Sequence, residues 1–230
     1  MATELPYDLT PELAPLSWLI GSWEGQGRLG DGSDGTEIFY QRVDFTEHGL
    51  PFVEYRAESW LCERDGTLLR PLTVESGFWQ VDRERRDGDV GPGMRPADIV
   101  PAFRSAEDVE SLRAGDEGFG ITATITHPGS LAELYYGRIK GPQLQLVTDA
   151  VLRGSAAGDY HRATRMAGLV NGQLFWRWDS SGSEGAELEA AGVGDREDGG
   201  QGDGRRDGRA RPGRPGGAEG GVEQALLGDE

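Results

Sequence analysis

Cysteine is almost missing from this chain: of 230 residues, only Cys62 carries a thiol. A single cysteine excludes an intramolecular disulfide framework and a cysteine-based zinc cluster, and it suits a reducing, cytoplasmic setting. Positive charge is scarce as well. Against 40 Asp and Glu stand 23 Lys and Arg, a formal net charge of −17, so a nucleic-acid backbone or an anionic membrane surface would repel the chain. Long apolar runs are wanting: Leu13 to Ile20 is interrupted by Pro15 and is too short to cross a bilayer. Met1 to Thr10 holds Glu4 and Asp8 where a signal peptide would be basic. Neither Gly-x-Ser-x-Gly nor Gly-Lys-Ser/Thr follows a strand-like segment, which argues against a serine hydrolase and a phosphate-cradling loop.

One absence is local. Every Trp, Tyr, Phe, His and Met lies before Ser180, whereas Ser180 to Glu230 is built mainly from Gly, Ala, Glu, Asp and Arg. Such a segment holds too little apolar surface to offset the entropy of ordering, so 180–230 reads as a disordered tail and 1–179 as one folded domain. Within that domain, 83–118 reads as an inserted surface loop, since Gly91-Pro92-Gly93 and Arg95-Pro96 are turn chemistry, with a weakly helical Ala106 to Leu112.

What is present points to strands. Thr10-Pro11-Glu12 starts a short helix, with Thr10 as N-cap and Pro11 at the first helical position, ending by Gly21. Ile121, Ala123 and Ile125 then alternate with Thr122, Thr124 and Thr126, the period-two mark of a strand with one buried face. Further strands are expected over Thr36 to Phe45, Phe52 to Cys62, Val74 to Val81, Leu131 to Lys140, Gln143 to Thr148, His161 to Val170 and Gln173 to Trp178. Asn171-Gly172 supplies the two positive φ angles of a type I′ hairpin. Short connections of this kind enforce antiparallel neighbours, so an all-β antiparallel meander follows, closed as an up-and-down barrel or packed as a two-sheet sandwich.

Gly21-Ser22-Trp23-Glu24-Gly25-Gln26-Gly27 puts one indole and three glycines on one strand face. The plain reading is a barrel bottom sealed by Trp23, with glycines absorbing the strand's coiling. The alternative is a face that a planar ligand approaches closely.

This Gly-x-Trp-x-Gly-x-Gly motif stands behind Pro11-Glu12-Leu13-Ala14-Pro15-Leu16. Glu75-Ser76-Gly77-Phe78-Trp79, His127-Pro128-Gly129, Glu133-Leu134-Tyr135-Tyr136-Gly137, Thr164-Arg165-Met166 and Asn171-Gly172-Gln173-Leu174 follow in order. In that arrangement the chain resembles the nitrobindin family from about Leu9 to Asp179. The resemblance implies a ten-stranded antiparallel barrel, similar in shape to fatty-acid-binding proteins, that holds ferric heme b, binds nitric oxide and isomerises peroxynitrite to nitrate. It assigns Gly21, Trp23, Gly25 and Gly27 as candidate cofactor contacts.

The family's iron ligand is a histidine of the last strand, and beyond His161 this chain has no histidine. The expectation is therefore a nitrobindin-like barrel whose last strand is lost, with no axial histidine, no catalytic or metal-ligating residue assigned and no heme iron held in the family's manner. Its enzyme status stays open. The tail suits either an extension replacing the last strand or an out-of-frame translation of GC-rich codons from about residue 180. Two alternatives stand beside this: a heme b protein isomerising peroxynitrite through a substitute ligand, or a barrel for lipophilic ligands or a partner. Among substitutes, His127, His48 and His161 read as turn or outward-facing residues and Cys62 and Met166 as packing; Arg165 and Lys140, which could in principle meet heme propionates, read as solvent-facing charges. The expected partners are a small hydrophobic ligand and, through the edge left by a missing strand, a second copy of the chain.

Overall fold

The computed structural model describes residues 9–30, 37–86, 102–182 and 187–197. Ten antiparallel strands form a closed barrel: β1 (Gly21–Gly30), β2 (Glu37–Glu47), β3 (Val53–Cys62), β4 (Leu68–Val81), β5 (Phe119–His127), β6 (Leu131–Lys140), β7 (Gln143–Arg153), β8 (Arg162–Val170), β9 (Gln173–Ser181) and β10 (Glu187–Arg196). Each strand pairs with its sequence neighbour, and β10 returns to pair with β1. The predicted alternation is the pattern that builds the wall: Ile121, Ala123 and Ile125 point into the core while Thr124 and Thr126 face out. At Asn171-Gly172 both residues adopt positive φ, 54° and 85°, and Val170 pairs directly with Gln173.

One end of the barrel is closed and packed. The 3-10 helix Pro11–Leu16 lies across it and buries Leu13 and Leu16. This helix is shorter than expected, because Pro15 within it cannot donate the hydrogen bond that an α-helix running on to Gly21 would need. Part of the expected surface loop is core: α1 (Ala106–Val109), capped by the Ser105 hydroxyl accepting from the Asp108 amide, packs against that helix and buries Val109. Phe103 is buried beside it, with the guanidinium of Arg86 over its ring. Residues 87–101 of that loop lie outside the described residues.

The expectation of a lost last strand is corrected. Ser180 and Ser181 end β9, and Glu187–Arg196 forms β10, hydrogen-bonded on both sides, from Trp23↔Arg196 to Gly30↔Glu189 along β1 and from Asp195↔Gln173 to Glu187↔Ser181 along β9. β10 is poor in apolar side chains, but closure here needs backbone partners and little bulk. A Cβ on Gly25 would lie 1.7 Å from the Val193 carbonyl oxygen, one on Gly27 would meet the Phe39 ring at 2.4 Å, and one on Gly192 would meet the Trp176 indole at 2.8 Å. The small residues of β10 are what the seam accepts. Among the described residues no barrel edge is left unpaired, so the edge on which a second copy was expected to dock does not exist. Residues 183–186 and 198–230 of the expected tail lie outside the described residues. No helix among the described residues is long and apolar enough to cross a membrane.

Candidate functional site

The other end of the barrel, where β5 turns into β6, opens into a cavity of about 350 Å³. Its walls are mostly aromatic and aliphatic, including Phe39, Val43, Phe45, Trp79, Leu144, Leu174, Trp176 and Trp178. The indole N–H groups of Trp79 and Trp178 are buried without a hydrogen-bond partner, a state that native interiors rarely leave without a use.

A charged cluster sits in this apolar wall. Arg165 of β8 grips Glu75 of β4 with both ends of its fork, Nη1 to Oε2 at 2.9 Å and Nη2 to Oε1 at 3.1 Å. It lies 3.8 Å from Glu133 of β6, whose side chain is fully buried. Tyr55 donates its hydroxyl to Glu75, while Tyr135 and Tyr160 donate theirs to Glu133. The Nε2 of His127 is 2.6 Å from Glu133, and its Nδ1 is 3.7 Å from Glu75. Burial would raise both carboxyls. The Arg165 charge, then the neighbouring His127 ring, and hydrogen bonds from Arg165 and Tyr55 instead hold Glu75 below the usual carboxylate range. For Glu133 the hydrogen bond from His127 leads, followed by the Arg165 charge and the two tyrosine hydroxyls. Burial, partly offset by Arg165 and reinforced by Glu133, pushes the Tyr135 phenol up to about 12. Burial first, then Tyr135 and Glu133, raises Tyr160 as well. A buried ionic cluster of this kind is weak evidence for stability and better evidence for a functional site.

The sequence-predicted residues distribute unevenly around this site. None of Gly21, Trp23, Gly25 and Gly27 lines the cavity. Trp23 closes the opposite end: it is buried, donates its indole N–H to the Leu19 carbonyl at 2.8 Å and carries the Arg196 guanidinium 4.6 Å above its ring. Gly25 and Gly27 face the β10 seam. His48 pairs with Glu54 and His161 with Asp159, both exposed as expected. His127 and Arg165 depart from expectation. His127 ends β5 inside the wall, with 12% of its side chain exposed, because the turn begins only after it. Arg165 is equally buried, because Glu75 and Glu133 face it across the barrel and compensate its charge. Met166 lines the cavity; Cys62 is buried at the end of β3 away from it, and Lys140 is exposed at the closed end.

Sequence alone does not single out the two carboxylates, because each is one acid among 40 in a chain of net charge −17 and a strand acid ordinarily faces solvent. A signal existed in the inward set of β6, where Glu133 occupies a position in register with buried Tyr135 and Ile139.

Comparison with known proteins places this geometry. The sequence model of the family described as a THAP4-like, heme-binding beta-barrel domain matches residues 12–191. A protein of Micrococcus luteus named peroxynitrite isomerase is 87% identical over 190 residues, covering 83% of this chain and 84% of that protein. One of the same name from Renibacterium salmoninarum is 62% identical over 190 residues, covering 83% and 90%. In fold, the crystal structure of Rv2717c from M. tuberculosis is similar at a TM-score of 0.58 and 20% identity, over 83% of this chain and 99% of that one.

These matches correct the expectation of a barrel that has lost heme chemistry. That expectation rested on the lack of any histidine beyond His161 and on family-like sequence ending at Asp179. The heme-binding family model runs on through β9 to residue 191 in β10, and the relatives matched over 83% of the chain carry the isomerase name.

Proposed function

The chain belongs to the THAP4-like, heme-binding β-barrel family, and from that premise we propose that it binds heme b and isomerises peroxynitrite to nitrate. The observation that carries this reading is the 87% identity, across the cavity-bearing part of the chain, to a protein named peroxynitrite isomerase.

The residues present fit the group. Aromatic and aliphatic walls suit the faces of a porphyrin, and the cavity is of the size and apolar character of small-molecule sites, roughly 300–1,000 Å³. Two buried indole N–H groups without partners, on Trp79 and Trp178, would suit acceptor atoms of a ligand. Phe39, Phe45, Leu144, Leu174 and Trp176 would hold the macrocycle and exclude water from it. When bound, heme supplies an iron centre for an isomerisation in which one O–O bond breaks, one N–O bond forms and no atom is gained or lost. Arg165, Glu75 and Glu133 keep fixed charge and hydrogen-bonding groups beside the cavity, and they need no rearrangement as a small anion enters. The single buried cysteine suits a cytoplasmic location for this activity.

The test is titration of the full chain with hemin, followed by peroxynitrite decay with nitrate quantified. A saturable Soret band at one heme per chain, with decay faster than the spontaneous reaction and nitrate as product, is the expected result. A protein that leaves the hemin spectrum unchanged in stoichiometric excess overturns the reading.

A further inference from the structure

We infer that His127 is the side chain that would hold the heme iron in this chain, through the ring nitrogen that Glu133 does not hold. The inference rests on the heme-binding reading and adds to it the identity of the ligand.

Among the cavity-lining residues His127 is the only imidazole; His48 and His161 are exposed and paired with carboxylates on the outer surface. Its ring is fixed. Glu133 is a fully buried carboxylate that accepts from Tyr135 and Tyr160 as well, so Nε2 at 2.6 Å is the nitrogen that carries the proton. In the neutral imidazole that leaves the lone pair on Nδ1. Nδ1 makes no hydrogen bond among the described residues; its nearest charged neighbour is Glu75 at 3.7 Å, whose oxygens are already taken by Arg165 and Tyr55. A carboxylate behind a histidine, orienting the ring and raising its basicity, is the usual support of a metal-bound imidazole. The other donor types in the wall are less suited. The hydroxyls of Tyr55 and Tyr160 are committed to Glu75 and Glu133. Met166 offers only a thioether, the remaining side chain of the types that hold heme iron.

The experiment compares absorption and electron paramagnetic resonance spectra of hemin-loaded full-length chain, His127→Ala, His127→Gln and Met166→Leu. Circular dichroism checks that each variant is folded. Wild type and Met166→Leu are expected to share one histidine-ligated spectrum. Both His127 variants should lose it, and added free imidazole should restore it to His127→Ala. Glu133→Gln should keep the ligand but weaken hemin binding by about tenfold. A folded His127→Ala or His127→Gln that binds hemin with the wild-type spectrum overturns the assignment while leaving heme binding standing. Loss of the spectrum in Met166→Leu alone also overturns it. Failure of the wild type itself to bind hemin removes the heme reading, and the assignment falls with it.

Discussion

Arg165 occupies a strand position where a charge would ordinarily reach water, yet it ends inside the barrel with two carboxylates arranged around it. Each oxygen and N–H that this arrangement removes from solvent is returned a partner: Tyr55 on Glu75, Tyr135 and Tyr160 on Glu133, and the Tyr135 oxygen on Arg165 Nε. Removing one member is therefore costly, because the rest stay buried and unmatched. Arg165→Met is expected to destabilise the fold by about 3–5 kcal/mol, seen as a lower urea midpoint. Replacing Arg165, Glu75 and Glu133 together by apolar residues of similar volume should cost far less than that single change. Sequence reading could name Arg165 as a charge on a strand, but not its partners, because Glu75 and Glu133 stand on β4 and β6 and meet it only across the barrel interior.

At the scale of elements, the instructive strand is β10. Local strands were legible because their neighbours pair through short turns and their apolar residues alternate, as in β5 and in the Asn171-Gly172 hairpin between β8 and β9. β10 lacks that signature, and what it supplies is a backbone narrow enough to fit between Gly25 and Gly27 on one side and Trp176 on the other. Gly25→Val should thus break the seam: its side chain starts 1.7 Å from the Val193 carbonyl. The expected loss is about 3 kcal/mol, measured as a fall in melting temperature. Gly158→Ala is the control, since nothing lies within 4 Å of the position a Cβ would take there; it should change stability by less than about 0.5 kcal/mol.

For the whole molecule, the buried carboxylates set the response to acid. Glu75 and Glu133 titrate lower in the folded chain than in the unfolded one, so their contribution is complete above the unfolded value of roughly 4.3 and is lost as pH falls through the lower folded values. The melting temperature should hold from neutrality to about pH 5 and drop steeply below about pH 4, and Glu75→Gln should flatten that drop. Tyr135 acts in the opposite sense. Its phenol is raised to about 12, so its contribution is present below the ordinary tyrosine value of roughly 10 and is lost as pH climbs from there through about 12.

The chain's alternation and turn residues determine by themselves an antiparallel order of strands and where most of them begin and end, because a β-strand's two faces and its hairpins are local matters. Trp23 behind its short helix is readable in the same way as a plug. Closure and chemistry are not local. That a glycine- and alanine-rich segment can be the last stave, that His127 belongs to a wall rather than to a turn, and that two acids are site residues are decided only when β4, β5, β6 and β8 bring their inward positions to one cavity and β10 meets β1. Burial makes the difference. A carboxylate, a guanidinium or an imidazole signals its role by the partners it must find once water is gone, and those partners lie on strands far apart in the chain.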